Sequence, residues 1–427
     1  MKIAIIGTGY VGLPTGVGFA EFGHDVVCID SAPEKIADLN AGKMTIFEDG
    51  MEQLLRKNAA DGKLRFTTEI SAVKDKDFVI IAVGTPPHPV TKEADLKYLY
   101  AAAQQIAPHL SGYTAIANKS TVPVGTGDRV QEIIRATNPD ADFDVVSMPE
   151  FLREGFAIHD FFHPDRVVAG TDSERAKKAV RELYGVHPET PDILFTDRHS
   201  SELIKYASNA FLAMKIHFIN EIADLCEKLG ANVHAVAKGM GMDSRIGSKF
   251  LNPGPGYGGS CFPKDTNALA YMARQADVNL SLVETTIAGN DARKSKMASK
   301  ITEAVKDIES PVVAVWGMAF KGGTDDARDS PAVEIIQQLA DRGHDVVAFD
   351  PKAKDNARAI LGDRIRYADT AIGAAKGADV LAVLTEWEDF RKIPLEKLEM
   401  RSKRIVDLRN IINSAAARAR GFDCKGI

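Results

Sequence analysis

Cysteine is scarce in this chain. The four thiols in 427 residues, Cys28, Cys226, Cys261 and Cys424, form no CxxC pair. A disulfide scaffold, a structural zinc site and a thioredoxin-type centre are therefore unsupported, and reduced thiols in a reducing compartment are expected. Long apolar runs are missing too, with nothing approaching the ~18 residues that span a bilayer. The N-terminal run Ile3-Ala4-Ile5-Ile6 stops at Gly7, too early for a signal peptide and suited to a buried first strand. Charge of one sign is also lacking: 53 Lys+Arg against 59 Asp+Glu leave a net −6, which argues against nucleic acid as a partner. These absences predict a soluble cytoplasmic protein that engages neither nucleic acid nor membrane. What is present is ordinary globular composition, 45% hydrophobic and 26% charged, in a length that suits two or three domains.

Short apolar strands alternate with helical stretches. Residues 2–6, Val26–Ile29, Phe78–Val83, Thr114–Asn118 and Val145–Ser147 read as strands, and a turn rich in Gly, Pro or polar residues follows most of them. This pattern predicts a parallel sheet covered by helices on both faces, with ligands at the edge where those turns collect. From Ser200 to about Gly230 the period changes. Leu203, Ala207, Ala210, Phe211, Met214, Phe218, Ile222 and Leu225 recur at helical spacing with no Pro or Gly between them. A helix of ~30 residues would span ~45 Å, and we read it as a strut between domains and part of a dimer interface. Near residue 311 the α/β pattern restarts with strand Val312–Val315 and helix Pro331–Arg342. Gly343-His344-Asp345-Val346-Val347-Ala348-Phe349-Asp350 then echoes Gly23-His24-Asp25-Val26-Val27-Cys28-Ile29-Asp30. This is a second copy of one supersecondary unit. Later strands are expected at Val380–Leu384 and Arg404–Asp407, and the tail after Ala417 carries no signal. The fold class is thus α/β: two Rossmann-like doubly wound domains joined by a long central helix and a helical middle domain. The expected division is 1–198, 199–300 and 301–427.

Gly7-Thr8-Gly9-Tyr10-Val11-Gly12 follows a strand and opens a helix. Gly7 permits the turn, Gly9 lets backbone approach a pyrophosphate, and Gly12 allows helix to pack on strand, with the helix N-terminus facing the phosphates. Asp30 ends the second strand, where a carboxylate binds ribose hydroxyls and repels a 2′-phosphate, so NAD is favoured over NADP. The second repeat has Gly317-Met318-Ala319-Phe320-Lys321 at the equivalent turn and lacks the fingerprint.

A second glycine-rich stretch runs from Asn252 to Asp265 and contains Gly254, Gly256, Gly258 and Gly259. It is not a P-loop, because no Gly-Lys-Ser/Thr follows. Its N–H groups could hold a diphosphate, and it leaves Cys261 at a helix start, where the dipole lowers a thiol pKa. Asp265 lies four residues on, on the same face. A thiol adds to an aldehyde and later leaves as thiolate, so beside a nicotinamide it points to oxidation past the aldehyde, through a thiohemiacetal and a thioester. Cys28 and Cys226 read as inert core. Lys205 and Asn209, i,i+4 on the long helix, could point at one substrate oxygen, or be a solvated lysine beside an unrelated surface asparagine. Glu150 and Glu154 could organise water or accept from a substrate hydroxyl, or be acids of a helix first turn. His159 and His163 superficially resemble a metal pair, but no third ligand is evident and no metal is expected.

With these residues in place, the chain resembles the UDP-glucose/GDP-mannose dehydrogenase family over essentially its whole length. The resemblance rests on the N-terminal fingerprint, Gly84-Thr85-Pro86, Ser120-Thr121-Val122-Pro123, Pro149–Gly155, Glu202–Leu212, Asp243-Ser244-Arg245-Ile246-Gly247, Gly254–Asp265, Phe320-Lys321 and Asp407-Leu408-Arg409-Asn410. It implies NAD as cofactor and four-electron oxidation of UDP-glucose to UDP-glucuronate, with GDP-mannose or a UDP-N-acetylhexosamine as alternative substrates. Cys261 would be the nucleophile, with Lys205 and Asn209 stabilising the oxyanion. Asp265 would position or activate the hydrolytic water, near Glu150, Glu154 and Thr121. Cofactor contacts would come from Gly7, Gly9, Tyr10, Val11, Gly12, Asp30, Lys35, Thr85, Thr121, Glu154, Lys264 and Arg328. Substrate contacts would come from Glu150, Phe151, Leu152, Glu154, Lys205, Asn209, Phe250, Tyr257, Gly258, Phe320, Lys321 and Arg409. Arg245 would reach the substrate of a neighbouring subunit, making a homodimer or larger assembly the working unit.

Overall fold

The first apolar run, Lys2–Ile6 (β1), is buried at every position after the first. Its side chains alternate between two cores. Ile3 and Ile5 join Leu13, Val17 and Phe19 on one face, while Ala4 and Ile6 join Val79, Leu99 and Ile116 on the other. A strand that is apolar on both faces belongs inside a sheet covered twice, and β1 pairs in parallel with β2 (Asp25–Ile29) and β4 (Phe78–Ile81). This computed structural model describes residues 1–185 and 192–427. It holds two compact units, Met1–Ser208 with Arg274–Ala276, and Asn209–Ala273 with Asp277–Ile427.

The remaining strands of the first unit are β3 (Leu64–Thr67), β5 (Thr114–Asn118), β6 (Phe143–Ser147), β7 (Val167–Gly170) and β8 (Ile193–Thr196). The sheet order is β3-β2-β1-β4-β5-β6-β7-β8. Strand order reverses between β1 and β4, the point where such sheets bind ligands. The expected parallel sheet needs one correction: β7 meets β6 antiparallel through Ser147 and Gly170. The strand expected over Phe78–Val83 ends at Ile81. The Ala82 N–H still donates to the Ile6 carbonyl at 2.8 Å, and a Cβ on Gly7 would stand 2.6 Å from the Ala82 carbonyl oxygen.

In the second unit β9 (Val312–Trp316), β10 (Asp345–Phe349), β11 (Arg366–Tyr367), β12 (Val380–Val383), β13 (Arg404–Asp407) and β14 (Asp423–Lys425) form a sheet of order β11-β10-β9-β12-β13-β14. Each pairing in it is parallel. The tail, expected to carry no signal, supplies β14. Asp-Cys-Lys shows no apolar run, yet Cys424 is buried against the sheet and Asn410 hydrogen-bonds both the N–H and the carbonyl of Ile427. The repeat expectation holds in detail, because β1-β2 and β9-β10 are the same parallel pair in two copies.

The long helix, Arg198–Leu229, has 32 residues and spans about 48 Å. It is apolar on both its buried and its open sides. Ser201, Glu202, Lys205, Asn209, His217 and Asn220 are buried together with Tyr206, Ala213, Ile219 and Ala223, while Leu203, Phe211, Phe218, Leu225 and Leu229 are exposed. A plain core helix would show a polar open side. Among the described residues no helix is long and apolar enough to cross a membrane.

Candidate active site

The turn after β1 is built for close approach. Gly7 has φ of +101°, where a side chain would be strained, and a Cβ on Gly12 would stand 2.0 Å from the Gly7 carbonyl oxygen. A Cβ on Gly9, by contrast, would meet nothing within 4 Å. The helix Gly12–Glu21 starts at once, which sets a helix N-terminus beside that glycine turn. Asp30, one residue past β2, accepts from the Thr8 hydroxyl (2.7 Å), the Thr8 N–H (2.9 Å), the Ala32 N–H (3.1 Å) and Lys35 Nζ (3.3 Å). Burial pushes its carboxyl up, but these donors together hold it below the usual value. An open cradle, a helix start and an ionised acid at the second strand are the fit that a dinucleotide with free ribose hydroxyls requires. Tyr10 and Val11 pack against the neighbouring core, and the Thr85 hydroxyl donates to the Thr121 carbonyl at 2.9 Å.

Past β6 the chain has no regular structure through Glu150 and Leu152, and helix resumes only at Ala157. The two acids are therefore not a helix first turn. Glu150, 5% exposed, accepts from the Leu152 N–H (2.5 Å) and from Lys205 Nζ (3.0 Å). Lys205 is 4% exposed and stands 5.2 Å from the Phe151 ring centre, so it is no solvated lysine. Glu154 is half-buried. Glu48, which the sequence did not suggest, holds this segment by accepting from the N–H groups of Gly155 (2.7 Å) and Ala157 (3.1 Å).

In the second unit the Gly254–Gly259 loop is clamped from below. Asn220 accepts from the Gly254 N–H (2.8 Å) and Arg293 Nε donates to the Gly254 carbonyl (2.6 Å). The Asn290 amide takes both the N–H and the carbonyl of Tyr257, at 2.8 and 3.1 Å. The loop packs at backbone distance, since a Cβ on Gly258 would lie 2.3 Å from the Asp329 carbonyl oxygen and one on Gly259 would meet the Phe320 ring at 2.8 Å. Arg409 donates to the carbonyls of Phe320 (2.8 Å) and Leu384 (2.9 Å). Lys321 Nζ stands 5.5 Å from the Phe320 ring centre. Phe250, at φ +66°, and Tyr257 both face Phe262.

The helix Phe262–Gln275 begins directly after Cys261, and the Asp265 N–H donates to the Cys261 carbonyl at 2.8 Å. Cys261 is the one cysteine of the four that is not buried, and burial pushes the Cys28 thiol up to about 12. Asp265 is fully buried and accepts from Asn209 Nδ2 (2.6 Å) and Lys264 Nζ (2.5 Å). Asn209, 5% exposed, is thus no surface residue, and its amide nitrogen donates one hydrogen bond to Asp265. Arg328 folds onto Asp326 at 2.6 Å. Arg245 extends into solvent with 88% of its side chain exposed, paired with Asp243 at 2.6 Å.

Sequence reasoning missed Glu48, Asn220, Asn290, Arg293 and Glu202. Glu202 stood inside a quoted motif without a role. It accepts from the N–H groups of Gly125 (2.7 Å) and Gly127 (2.8 Å) and from the Ser147 hydroxyl (2.7 Å), and burial raises its carboxyl despite these donors. Only a buried carboxylate's need for donors could have signalled these anchors, and burial is not written locally. Among the described residues no group of three or more potential ligands could hold a metal. His159 and His163 are 5.0 Å apart, ring to ring.

Comparison with known proteins matches residues 1–187, 199–292 and 314–414 to the NAD binding, central and UDP binding domains of the UDP-glucose/GDP-mannose dehydrogenase family. A UDP-glucose 6-dehydrogenase of Rhizobium meliloti (strain 1021) is 52% identical across 99% of this chain and 98% of that protein. One from Bacillus subtilis (strain 168) is 45% identical across 99% and 92%. The solved structure of a UDP-glucose dehydrogenase from the hyperthermophilic archaeon Pyrobaculum islandicum superposes with a TM-score of 0.93 at 35% identity, covering 100% of this chain and 97% of that one.

Proposed function

Because the chain belongs to the UDP-glucose/GDP-mannose dehydrogenase family, we propose that it oxidises the C6 alcohol of UDP-glucose to the carboxylate of UDP-glucuronate with two NAD. Bound NAD supplies the hydride acceptor at each oxidation. The chain's own groups do the rest. The alcohol gives up a hydride and a proton and becomes an aldehyde. Cys261 Sγ adds to C6, its proton passing to the carbonyl oxygen, and this thiohemiacetal loses a second hydride and a proton to become a thioester. Water then displaces the thiolate, leaving the acid. One water is consumed, and two hydrides and three protons leave in all. Lys205 and Asn209 stabilise negative charge on the C6 oxygen, and Asp265 orients the water with Glu150, Glu154 and Thr121 contributing. The covalent bond keeps the aldehyde from escaping between oxidations.

The observation that carries this reading is Cys261, the accessible thiol at the head of a helix whose first turn holds the fully buried Asp265. Counting NADH against product tests it. The wild-type enzyme yields two NADH per UDP-glucose, and Cys261→Ala loses acid formation by more than about a thousandfold. Acid formed by that variant at near wild-type rate would overturn the covalent route. A panel of UDP-glucose, GDP-mannose and UDP-N-acetylhexosamines ranks UDP-glucose first.

The working unit on this reading is a homodimer. Phe211, Phe218 and Leu225 recur every seventh residue along the long helix, 58%, 45% and 52% exposed, with Leu229 beyond them at 73%. Such a row is covered when two copies pair, and Arg245 then reaches toward the partner's substrate. Phe218→Glu yields monomers in sedimentation.

A further inference from the structure

We propose that Asn290 is a positioning residue for substrate binding: its amide fixes the peptide groups on either side of Tyr257 and so turns the Gly258 N–H toward the diphosphate of the sugar nucleotide. The proposal rests on the reading of the chain as a UDP-sugar dehydrogenase.

Asn290 lies well inside the helix Ser281–Glu303 and is 3% exposed. Asparagine is a poor helix former, and its amide needs partners once buried. Here the glycine-rich loop supplies them. Oδ1 accepts from the Tyr257 N–H at 2.8 Å, and Nδ2 donates to the Tyr257 carbonyl at 3.1 Å. One side chain therefore satisfies both backbone groups of one buried residue. The fit is close, since a Cβ on Gly256, whose φ is +139°, would stand 2.9 Å from Asn290 Oδ1. Arg293, one turn further on, takes the Gly254 carbonyl, and Asn220 takes the Gly254 N–H.

The consequence follows from the trans peptide, in which C=O and N–H point in opposite directions. Among the described residues no peptide bond is cis. With the Tyr257 carbonyl held against Asn290, the N–H of the same peptide, that of Gly258, points away from the helix. Other donors of the loop are used differently. Gly254 gives its N–H to Asn220, Tyr257 gives its own to Asn290, and Pro255 has none. Asn290 thus aims the Gly258 donor. Packing does not hold Tyr257 on every side, because a cavity of about 150 Å³ adjoins it, lined by Pro263, Asn267, Asn290, Lys294 and Glu334 among others. The peptide has room to turn once the amide is lost. Arg409, paired with Glu386 at 3.0 Å, brings a guanidinium to the same loop, its Nη1 lying 3.0 Å from where a Cβ on Gly254 would stand. An aimed backbone N–H near a guanidinium suits an anionic oxygen.

The test uses the full-length enzyme as wild type, Asn290→Ala and Asn290→Asp. It measures kcat, KM for UDP-glucose, KM for NAD and the inhibition constant of UDP. Asn290→Ala drops both bonds to Tyr257. Asn290→Asp keeps the acceptor for the N–H but sets an oxygen against the carbonyl. Both variants raise KM for UDP-glucose about thirtyfold, and the UDP constant in parallel. In both, kcat falls no more than about threefold and KM for NAD stays within about twofold. A merely structural role predicts a lower melting temperature with both KM values unchanged, or all constants worsening together, and either result overturns the proposal. A raised KM for UDP-glucose with an unchanged UDP constant overturns it too, because the donor would then serve the hexose. If Asn290→Ala loses its cooperative melting transition, Asn290→Asp decides by the same constants. Loss of that transition in both variants is equally fatal, since the residue would then serve the fold itself. The proposed function is judged separately by the wild-type count of NADH per sugar. One NADH sinks that reading, whereas two NADH with unmoved constants in the variants sink only this proposal.

Discussion

The turns after β1 and β9 begin alike and then part. Each starts with a glycine in the left-handed region, Gly7 at φ +101° and Gly317 at +98°. Each glycine N–H donates to the carbonyl that ends the next strand, Ile29 at 2.7 Å and Phe349 at 2.8 Å. Each next strand is followed by an aspartate. Asp30 takes two donors from Thr8 in the turn after β1 and two from Ala32 and Lys35 in its own segment, and 13% of its side chain stays open. Asp350, 2% exposed, is filled by the N–H groups of Met318, Ala319, Lys352 and Ala353 and by the Trp387 indole. The helix after β1 starts at Gly12, whereas the one after β9 waits until Pro331. The intervening loop carries Phe320, Lys321 and Arg328. One supersecondary unit thus keeps its aspartate partly open beside a glycine cradle in the first copy, and fills it with five donors in the second.

The sharpest way to break this comparison is at Gly9 and its counterpart Ala319. Nothing lies within 4 Å of a Cβ at Gly9, so Gly9→Val leaves melting unchanged but cuts NADH formation at least about a hundredfold by filling the cradle. Ala319→Gly creates no NAD site in the second unit, read by equilibrium binding. A Gly9→Val enzyme with normal NAD affinity would show that the turn does not hold the pyrophosphate.

The two aspartates differ next. Asp350→Asn turns a buried amide toward five donors and destabilises its unit by about 3 kcal/mol, seen as a lower melting temperature with NAD affinity retained. Asp30→Asn does the opposite: NAD affinity falls about tenfold and NADP is better tolerated, with little change in melting. Equal thermal effects from both would erase the distinction.

The smallest effect separates the paired histidines. His24 is 3% exposed and its Nε2 meets the Leu183 carbonyl at 3.0 Å, while the half-buried His344 meets the Thr302 hydroxyl at 3.1 Å. Burial lowers both below the usual histidine value. The folded state therefore binds their protons less readily than the unfolded chain does. Their contribution is full above about pH 6.5 and is lost as pH falls below it. Denaturant unfolding at pH 7.5 and 5.5 shows a smaller acid loss for His24→Gln than for wild type. His344→Gln shows the same change to a lesser degree, and no change in either variant would contradict burial as the cause.

Much of the fold was legible because the chain repeats itself. Gly23–Asp30 and Gly343–Asp350 announce the same strand and turn, and the strands at Thr114–Asn118 and Arg404–Asp407 match the observed limits. β14 was not legible, since Asp423-Cys424-Lys425 is a strand only because β13 offers an edge. The site's chemistry was partly legible. Cys261 and Asp265 stand four apart beside a glycine loop, and Lys205 and Asn209 four apart on an uninterrupted helix. Their partners were not. Lys205 bonds Glu150, 55 residues away, and Asn209 bonds Asp265, 56 residues away.

Local order thus determined the repeat, the glycine turns, the helix that carries Lys205 and Asn209, and which thiol stands at a helix start. These depend on backbone freedom and on spacings within one turn, which neighbours in the chain set directly. Tertiary structure alone decided which carboxylates stay open and which are used up, and which polar groups of the long helix are buried. Those outcomes depend on desolvation and on donors from distant strands, and no short stretch of chain holds both the group and what surrounds it.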